Sequence, residues 1–255
     1  MSVLVLCGRH VVADRFTANL LAEFSEKVEF VEMQEASHPG SYVQHVANQQ
    51  GVMYCQYENE DKTIERINEC RLKGGVTTIV LAWWPKIVHK LNKLGLNVIN
   101  THPSFLPYNR GKYPYYWAIM TGTPFGATIH RVDDGIDTGD ILWRKEAKLD
   151  PTDTGETAYS KAVEAMNDLL FEHLEDIALE RFPTGIKQNP HVATSHMAKD
   201  FDIEPLEIGN GVIFPPAEFI NDLRARTFDN PRSGRKIIID GKTYRIHFKL
   251  VEEQQ

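Results

Sequence analysis

The run Val3-Leu4-Val5-Leu6, followed by Val12, Phe16, Leu20 and Phe24 and then by Val28-Glu29-Phe30-Val31-Glu32-Met33, decides the fold. An unbroken apolar run bounded by Cys7-Gly8 reads as a strand buried on both faces, and apolar residues recurring every four positions mark one face of a helix. A second strand follows, so the first 33 residues spell a strand, helix, strand unit, the pattern of a parallel sheet covered by helices. The alternation continues. Residues 51–56, Thr77 to Trp83 and Leu96 to Asn100 predict further strands, with helical segments around 41–49, 60–72 and 86–93 between them. In such a sheet the loops after the strands lie along one edge, where ligands bind.

Gly126 to Val132 and Asp140 to Leu149 predict two more strands, joined by the polar turn Asp133-Asp134-Gly135-Ile136-Asp137-Thr138-Gly139. Asp153-Thr154-Gly155-Glu156 then opens one long helix with Tyr159, Val163, Met166, Leu170, Leu174 and Ile177 on its apolar face, and Pro183 stops it. From about residue 184 the chain becomes irregular, with a short helix after Pro215-Pro216 carrying Phe219, Ile220 and Leu223. The last pair of strands, Lys236 to Ile239 and Lys242 to Val251, is joined by Asp240-Gly241, a two-residue hairpin signal.

The chain has 255 residues, 42% of them hydrophobic and 25% charged, enough for one large domain with a modest appendage and a core that needs no staples. Lys and Arg number 28 against 35 Asp and Glu, a net charge of -7, so no whole-chain basic field draws in nucleic acid or anionic lipid. Cys7, Cys55 and Cys70 are scattered, with no Cys-x-x-Cys pair, which argues against a disulfide framework or zinc site and for a reducing cytoplasm. Met1 to Gly8 lacks a basic lead and ends too soon for a signal peptide, and no later apolar run approaches the roughly 18 residues of a membrane span.

Chemistry concentrates between Asn97 and Leu142, directly after a buried strand. Asn100 and His102 are two apart, so at the end of an extended strand they point the same way. One offers a neutral amide donor and the other a titratable imidazole, a pair able to hold a carbonyl oxygen and manage a proton as that carbon becomes tetrahedral. Alone, such a pair also suits an ordinary turn. Here it is followed by Ser104-Phe105-Leu106-Pro107, Gly111 and the turn ending in Asp137-Thr138-Gly139.

With those motifs the sequence resembles the formyltransferases that move a formyl group from 10-formyltetrahydrofolate to an amine. The family pattern is Asn-x-His at a strand end, a Ser-Leu-Leu-Pro-x-x-x-Gly loop and a distant Asp-x-Gly-x-Asp-x-Gly turn, and the resemblance covers residues 1 to about 182. Phe105 stands where the family usually has Leu, and the acidic turn carries an extra residue, which makes Asp137 the match for the catalytic acid and Asp133 or Asp134 the match for the cofactor loop. The resemblance implies a Rossmann-like α/β fold, with a formyltransferase catalytic domain over 1–182 and an extension with a short helix and β-hairpin over 183–255. It implies that Asn100 stabilises the oxyanion, that His102 either completes that hole as a cation or removes the amine proton, and that Asp137 orients the imidazole. It places the folate against Trp83, Trp84, Lys86, Ile87 and Val88, where two adjacent tryptophans are by default core packing. No metal is implied.

The acceptor is narrowed by the tail. Some 70 residues beyond the catalytic unit are too few for the basic barrel of tRNA formyltransferases, and the net charge suits tRNA poorly. Lys199-Asp200-Phe201-Asp202-Ile203, Leu223 to Phe228 and the closing hairpin look like the tail of bacterial nucleotide-sugar N-formyltransferases, which act on dTDP-linked 3- or 4-amino-dideoxy sugars for surface polysaccharide such as O-antigen, and which dimerise through such a hairpin. Ser104, Tyr108, Asn109, Arg110, Gly111 and Lys112 are the expected substrate loop, with Arg110 and Lys112 suited to a pyrophosphate. Methionyl-tRNA is the alternative acceptor, and a non-catalytic sugar-nucleotide binding protein is the alternative class. A dinucleotide dehydrogenase would need a G-x-G-x-x-G that Cys7-Gly8-Arg9-His10 does not supply. A metal hydrolase using His10, His102 and His130 would need a ligand spacing that is not present.

Overall fold

The computed structural model describes residues 2–34, 42–71, 75–201, 205–207, 215–230 and 232–249. The strands are β1 (Ser2–Cys7), β2 (Val28–Met33), β3 (Met53–Gln56), β4 (Val76–Ala82), β5 (Asn97–His102), β6 (Arg110–Gly111), β7 (Gly126–Arg131), β8 (Ile141–Glu146), β9 (Ser195–His196), β10 (Leu206–Glu207), β11 (Arg235–Ile239) and β12 (Lys242–Ile246). The helices are α1 (Val11–Phe24), α2 (Tyr42–Gln50), α3 (Glu60–Arg71), α4 (Pro114–Thr121), α5 (Gly155–Glu172), α6 (Leu174–Ala178), α7 (Ala198–Phe201) and α8 (Pro216–Ala225).

Seven strands form one sheet in the order β3-β2-β1-β4-β5-β7-β8. The pairs from β3 through β5 are parallel and β7 runs antiparallel to β5. All six residues of β1 are buried, as an unbroken apolar run in a central strand requires. Strand order turns back between β1 and β4, and at that switch point the chain after β1 closes on the chain after β4: Gly8 N–H donates to Ala82 O at 2.9 Å. A Cβ on Gly8 would stand 1.9 Å from Trp83 O, so only glycine fits there. The crevice beyond such a switch point is where open α/β sheets hold ligands.

The chain divides into two compact units, residues 1–102, 128–144 and 166–188, and residues 103–127, 145–165 and 189–255. The core of the first includes Leu4, Leu6, Phe30, Ile79, Leu81 and Val98. The core of the second is built on Tyr116, Ile119, Phe125, Ala158, Ala162 and Ala225, whose alanines let α4, α5 and α8 lie close. Among the described residues no helix is long and apolar enough to cross a membrane.

Three expectations change. Residues 86–93 are not a helix beyond one 3-10 turn at Leu91–Lys93, because the N–H groups of His89, Lys90 and Leu91 donate to the Glu60 carboxylate at 2.6–3.0 Å instead of to carbonyls four residues back. The long helix is broken at His173, whose φ of -113° leaves helical space and whose ring stacks on Trp143 at 4.3 Å, separating α5 from α6. The two-residue pairing of β6 with β9 had no counterpart in the reading of the sequence. The closing hairpin turns where expected, with positive φ at both Asp240 and Gly241, but its second strand ends at Ile246, after which Phe248 N–H donates to Thr227 Oγ1 at 3.1 Å; Leu250 and Val251 lie outside the described residues, as do Asp202 and Ile203.

Candidate active site

β5 ends the parallel part of the sheet, and its alternation sends Asn100 and His102 to one side, as period two dictates. The turn after β7 brings Asp137 to both. His102 Nδ1 lies 3.4 Å from Asp137 Oδ2, and Asn100 Nδ2 donates to Asp137 Oδ1 at 3.4 Å. The carboxylate is largely removed from solvent, with a side-chain exposure of 12% against 7% for His102. A buried carboxylate needs donors around it, and here imidazole and amide supply them.

Asp137 has φ 53°, the left-handed region that Asp and Asn reach more readily than most residues. Two devices hold it there. Asp133 Oδ1 accepts from Gly135 N at 3.0 Å and from the Thr138 hydroxyl, folding the turn on itself. Gln188 Nε2 donates to the carbonyls of Asp137 and Gly139 at 2.9 and 2.7 Å. Asp134 is exposed at the rim and accepts from Asn92 Nδ2 at 3.5 Å.

A third ring completes the cluster. His130 on β7 is directly opposite Asn100 in the β5–β7 register and only 2% exposed. Its Nδ1 lies 2.7 Å from Arg131 O, a hydrogen bond only if Nδ1 carries the proton. Nε2, 3.3 Å from Asn100 Nδ2 and 3.4 Å from Asp137 Oδ1, then accepts from the amide when the ring is neutral and donates to the carboxylate when it is charged. His130 and Gln188 were missing from the sequence-derived set of active-site residues. His130 carried a signal, seven residues before Asp137 on a strand, whereas nothing in the sequence around Gln188 connects it to the turn.

The expected donor wall follows β4. Trp83, at φ 49°, is tied to β5: its backbone N–H donates to Thr101 Oγ1 at 2.7 Å, and that hydroxyl donates to Leu81 O at 3.1 Å. The residue between Asn100 and His102 thus fixes the end of β4. Trp84 is 7% exposed in the first core, edge-on to Tyr57 at 4.8 Å, and Val88 is buried in the same cluster. Ile87 is exposed, and Lys86 Nζ stands 4.7 Å over the Tyr57 ring.

His10 stacks on Trp83 at 4.2 Å and caps α1, its Nδ1 accepting from Val12 N at 3.2 Å. Burial holds its imidazole below the usual value. The folded state therefore favours the neutral ring, so the cap is intact above about pH 6.5 and is lost as pH falls below that through the folded value. We expect acidification to alter tryptophan fluorescence less in His10→Asn, which keeps a capping oxygen without the titration, than in the wild-type chain, the stacked pairs His173–Trp143 and His196–Trp117 being common to both. Identical titrations would remove His10 as the cause.

The expected substrate loop lies in the second unit. Ser104 Oγ donates to Tyr108 O at 2.8 Å, closing it. Asn109 is 1% exposed and committed to Thr194 and Thr123, its N–H donating to Thr194 Oγ1 at 2.8 Å and its Nδ2 to Thr123 Oγ1 at 2.9 Å. Arg110 and Gly111 pair with Ser195 and His196, and a Cβ on Gly111, at φ 85°, would lie 2.2 Å from His196 O. Lys112 is exposed and Tyr108 and Arg110 half-buried, so the loop presents cations on a fastened backbone. Among the described residues no group of three or more His, Cys, Asp or Glu is placed to hold a metal ion.

The profile of the formyl transferase family matches residues 12–174. The dTDP-4-amino-4,6-dideoxyglucose formyltransferase of Mycobacterium tuberculosis H37Rv is 31% identical over 153 residues, 57% of this chain and 64% of that protein, so the match spans less than two thirds of the relative. A methionyl-tRNA formyltransferase of Halothermothrix orenii is 34% identical over 137 residues, 53% of this chain and 43% of that one. In fold, a sugar N-formyltransferase from a Shewanella species superposes with a TM-score of 0.76 at 20% identity, covering 100% of both chains. The matched span contains the Asn100, His102 and Asp137 cluster and every strand of the sheet that carries it except β1, and the chain belongs to the formyl transferase family.

Proposed function

We propose that the protein transfers a formyl group from 10-formyltetrahydrofolate to the free amine of a nucleotide-linked 3- or 4-amino-dideoxy sugar, with dTDP as the nucleotide. The observation that carries the reading is one sheltered carboxylate, Asp137, within 3.4 Å of both the Asn100 amide and the His102 imidazole. The neutral amine attacks the formyl carbon, a C–N bond forms and the carbonyl electron pair moves to oxygen. Asn100 donates to that oxyanion. The attacking nitrogen, now cationic, loses a proton, and collapse of the tetrahedral carbon breaks its bond to the folate nitrogen, which leaves with a proton. His102 presents Nδ1 to Asp137, so Nε2 is the nitrogen assigned to the reacting atoms, and the carboxylate favours the charged ring as the proton arrives. Trp83, Trp84, Lys86, Ile87, Val88, Asp133 and Asp134 are assigned to the folate side, with Trp83 the half-buried ring and Trp84 acting from the core.

The sugar nucleotide is favoured over methionyl-tRNA by the net charge of -7. Parallel assays with an amino-sugar nucleotide and with methionyl-tRNA test this choice. Turnover of the first and none of the second is expected, and the reverse result overturns it. Binding without turnover in either case would mark a non-catalytic binding protein. Arg110 and Lys112 are assigned to the pyrophosphate. Replacing both by alanine should raise KM for the sugar nucleotide about tenfold or more and leave KM for the folate near wild type, whereas equal changes in both would indicate a purely structural loop.

The work is placed in the cytoplasm, ahead of surface polysaccharide assembly, and in a homodimer through the closing hairpin. Ile239 and Tyr244 on that hairpin are 39% and 48% exposed, apolar area that a second copy would cover. Light scattering should return twice the chain mass, and a strictly monomeric mass contradicts the dimer.

A further inference from the structure

One segment reaches the Asp137 turn from far along the chain. Ile186 forms an isolated antiparallel bridge with Ile141 at the start of β8, its N–H donating to Ile141 O at 2.8 Å and its carbonyl accepting from Ile141 N at 2.9 Å. The Ile186 side chain is 62% exposed, so the backbone pair fixes the segment and apolar burial adds little. Gly185 lets the two chains close, since a Cβ there would stand 2.5 Å from Asp140 Cβ. Continued by two residues, the same antiparallel register sets Gln188 opposite Gly139. There Gln188 Nε2 donates to the carbonyls of both Asp137 and Gly139, at 2.9 and 2.7 Å. Two converging carbonyls accept only the NH2 end of the amide, which settles its orientation.

Asp137 needs such a clamp. Its φ of 53° is a conformation that persists only where the surroundings impose it. The carboxylate's own contacts are too long to do so. Those to His102, Asn100 and His130 are 3.4 Å each, against about 2.7–3.2 Å for an ordinary N–H···O hydrogen bond, whereas the two from Gln188 lie well inside that range. Asp133 acts on Gly135 N and the Thr138 hydroxyl. Gln188 acts on the peptide that follows Asp137, whose orientation sets where the Asp137 side chain leaves the turn.

We infer that Gln188 is a positioning residue for the reaction: through the carbonyls of Asp137 and Gly139 it aims the Asp137 carboxylate at His102 and Asn100. This role rests on the reading of Asp137 as the group that orients His102.

Gln188→Met keeps the length of the side chain and removes both donors. With 10-formyltetrahydrofolate and a dTDP-linked amino sugar it should lower kcat about tenfold or more, with KM for both substrates near wild type and the melting midpoint little changed. In an Asp137→Asn background the same change should lower kcat by less than about twofold, since the carboxylate it serves is gone. Gln188→Glu separates a donor from a spacer and carries the test if Gln188→Met does not fold. Its carboxylate would face two carbonyls with no proton to give, while its acid form can donate to one of them, so its deficit in kcat relative to wild type should shrink as pH falls and that of Gln188→Met should stay constant. Amide exchange gives a readout that needs no turnover. The Gly135 N–H, bonded to Asp133, should exchange about tenfold faster or more in either variant at neutral pH, with protection in β1 and β4 unchanged. Wild-type kcat in the folded variants, equal losses with and without the Asp137 carboxylate, or unchanged exchange at Gly135 overturns the inference. Wild-type kcat in Asp137→Asn, or no transfer by the wild-type chain, would instead reject the catalytic reading of the cluster, and exchange at Gly135 then decides alone whether Gln188 holds the turn.

Discussion

Replacing Asn100 by alanine is expected to lower kcat by about a hundredfold or more while KM for both substrates stays near the wild-type value. In the proposed reaction the side chain acts only once the formyl oxygen carries charge, so its loss would remove an interaction made in the transition state and not in the ground state. The folded protein should tolerate the change. Asn100 is half-buried at the end of β5, and its side-chain partners, Asp137 and His130, each keep another contact without it. Steady-state kinetics with circular dichroism on the same sample check this. Near-wild-type turnover would remove Asn100 from the chemistry.

Asp137→Asn should be at least as damaging, about a thousandfold in kcat, although it preserves size and shape. The carboxylate meets Asn100, His102 and His130. An amide there cannot stabilise an imidazolium, and whichever oxygen its NH2 replaces, Oδ2 toward His102 or Oδ1 toward Asn100 and His130, is lost as an acceptor. The turn itself should persist, because Asp133, Thr138 and Gln188 fasten it through atoms the substitution leaves alone. A structural role would instead lower the melting temperature and leave kcat per folded molecule unchanged.

Much of this is legible in the sequence, for identifiable reasons. A buried parallel strand writes itself as an unbroken apolar run, as Val3 to Cys7 of β1 and Ile79 to Ala82 of β4 do, whereas β2 is interrupted by Glu29 and Glu32. Asn100 and His102 could be placed on one side of β5 by period two, and Asp240-Gly241 announces a turn that demands positive φ twice. What escaped depends on partners far along the chain. Residues 86–93 look periodic, but Glu60 competes for their N–H groups, and the break at His173 is tied to a ring stacked on Trp143. His130 joins the cluster through strand register, and Gln188 reaches the Asp137 turn across 51 residues, neither of which local spacing encodes. The opposed Lys236 and Arg245 likewise become neighbours only when the hairpin closes.

The central claim is that the Asn100, His102 and Asp137 cluster moves a formyl group to an amino sugar. Its most direct test supplies 10-formyltetrahydrofolate with an isotopically labelled formyl carbon, together with a dTDP-linked amino-dideoxy sugar, and follows the sugar nucleotide by mass spectrometry. The account predicts that the sugar nucleotide gains one labelled formyl group with the wild-type chain, and that this gain all but disappears with Asp137→Asn. Label that stays on the folate, or that reaches the sugar equally well with both proteins, would contradict it.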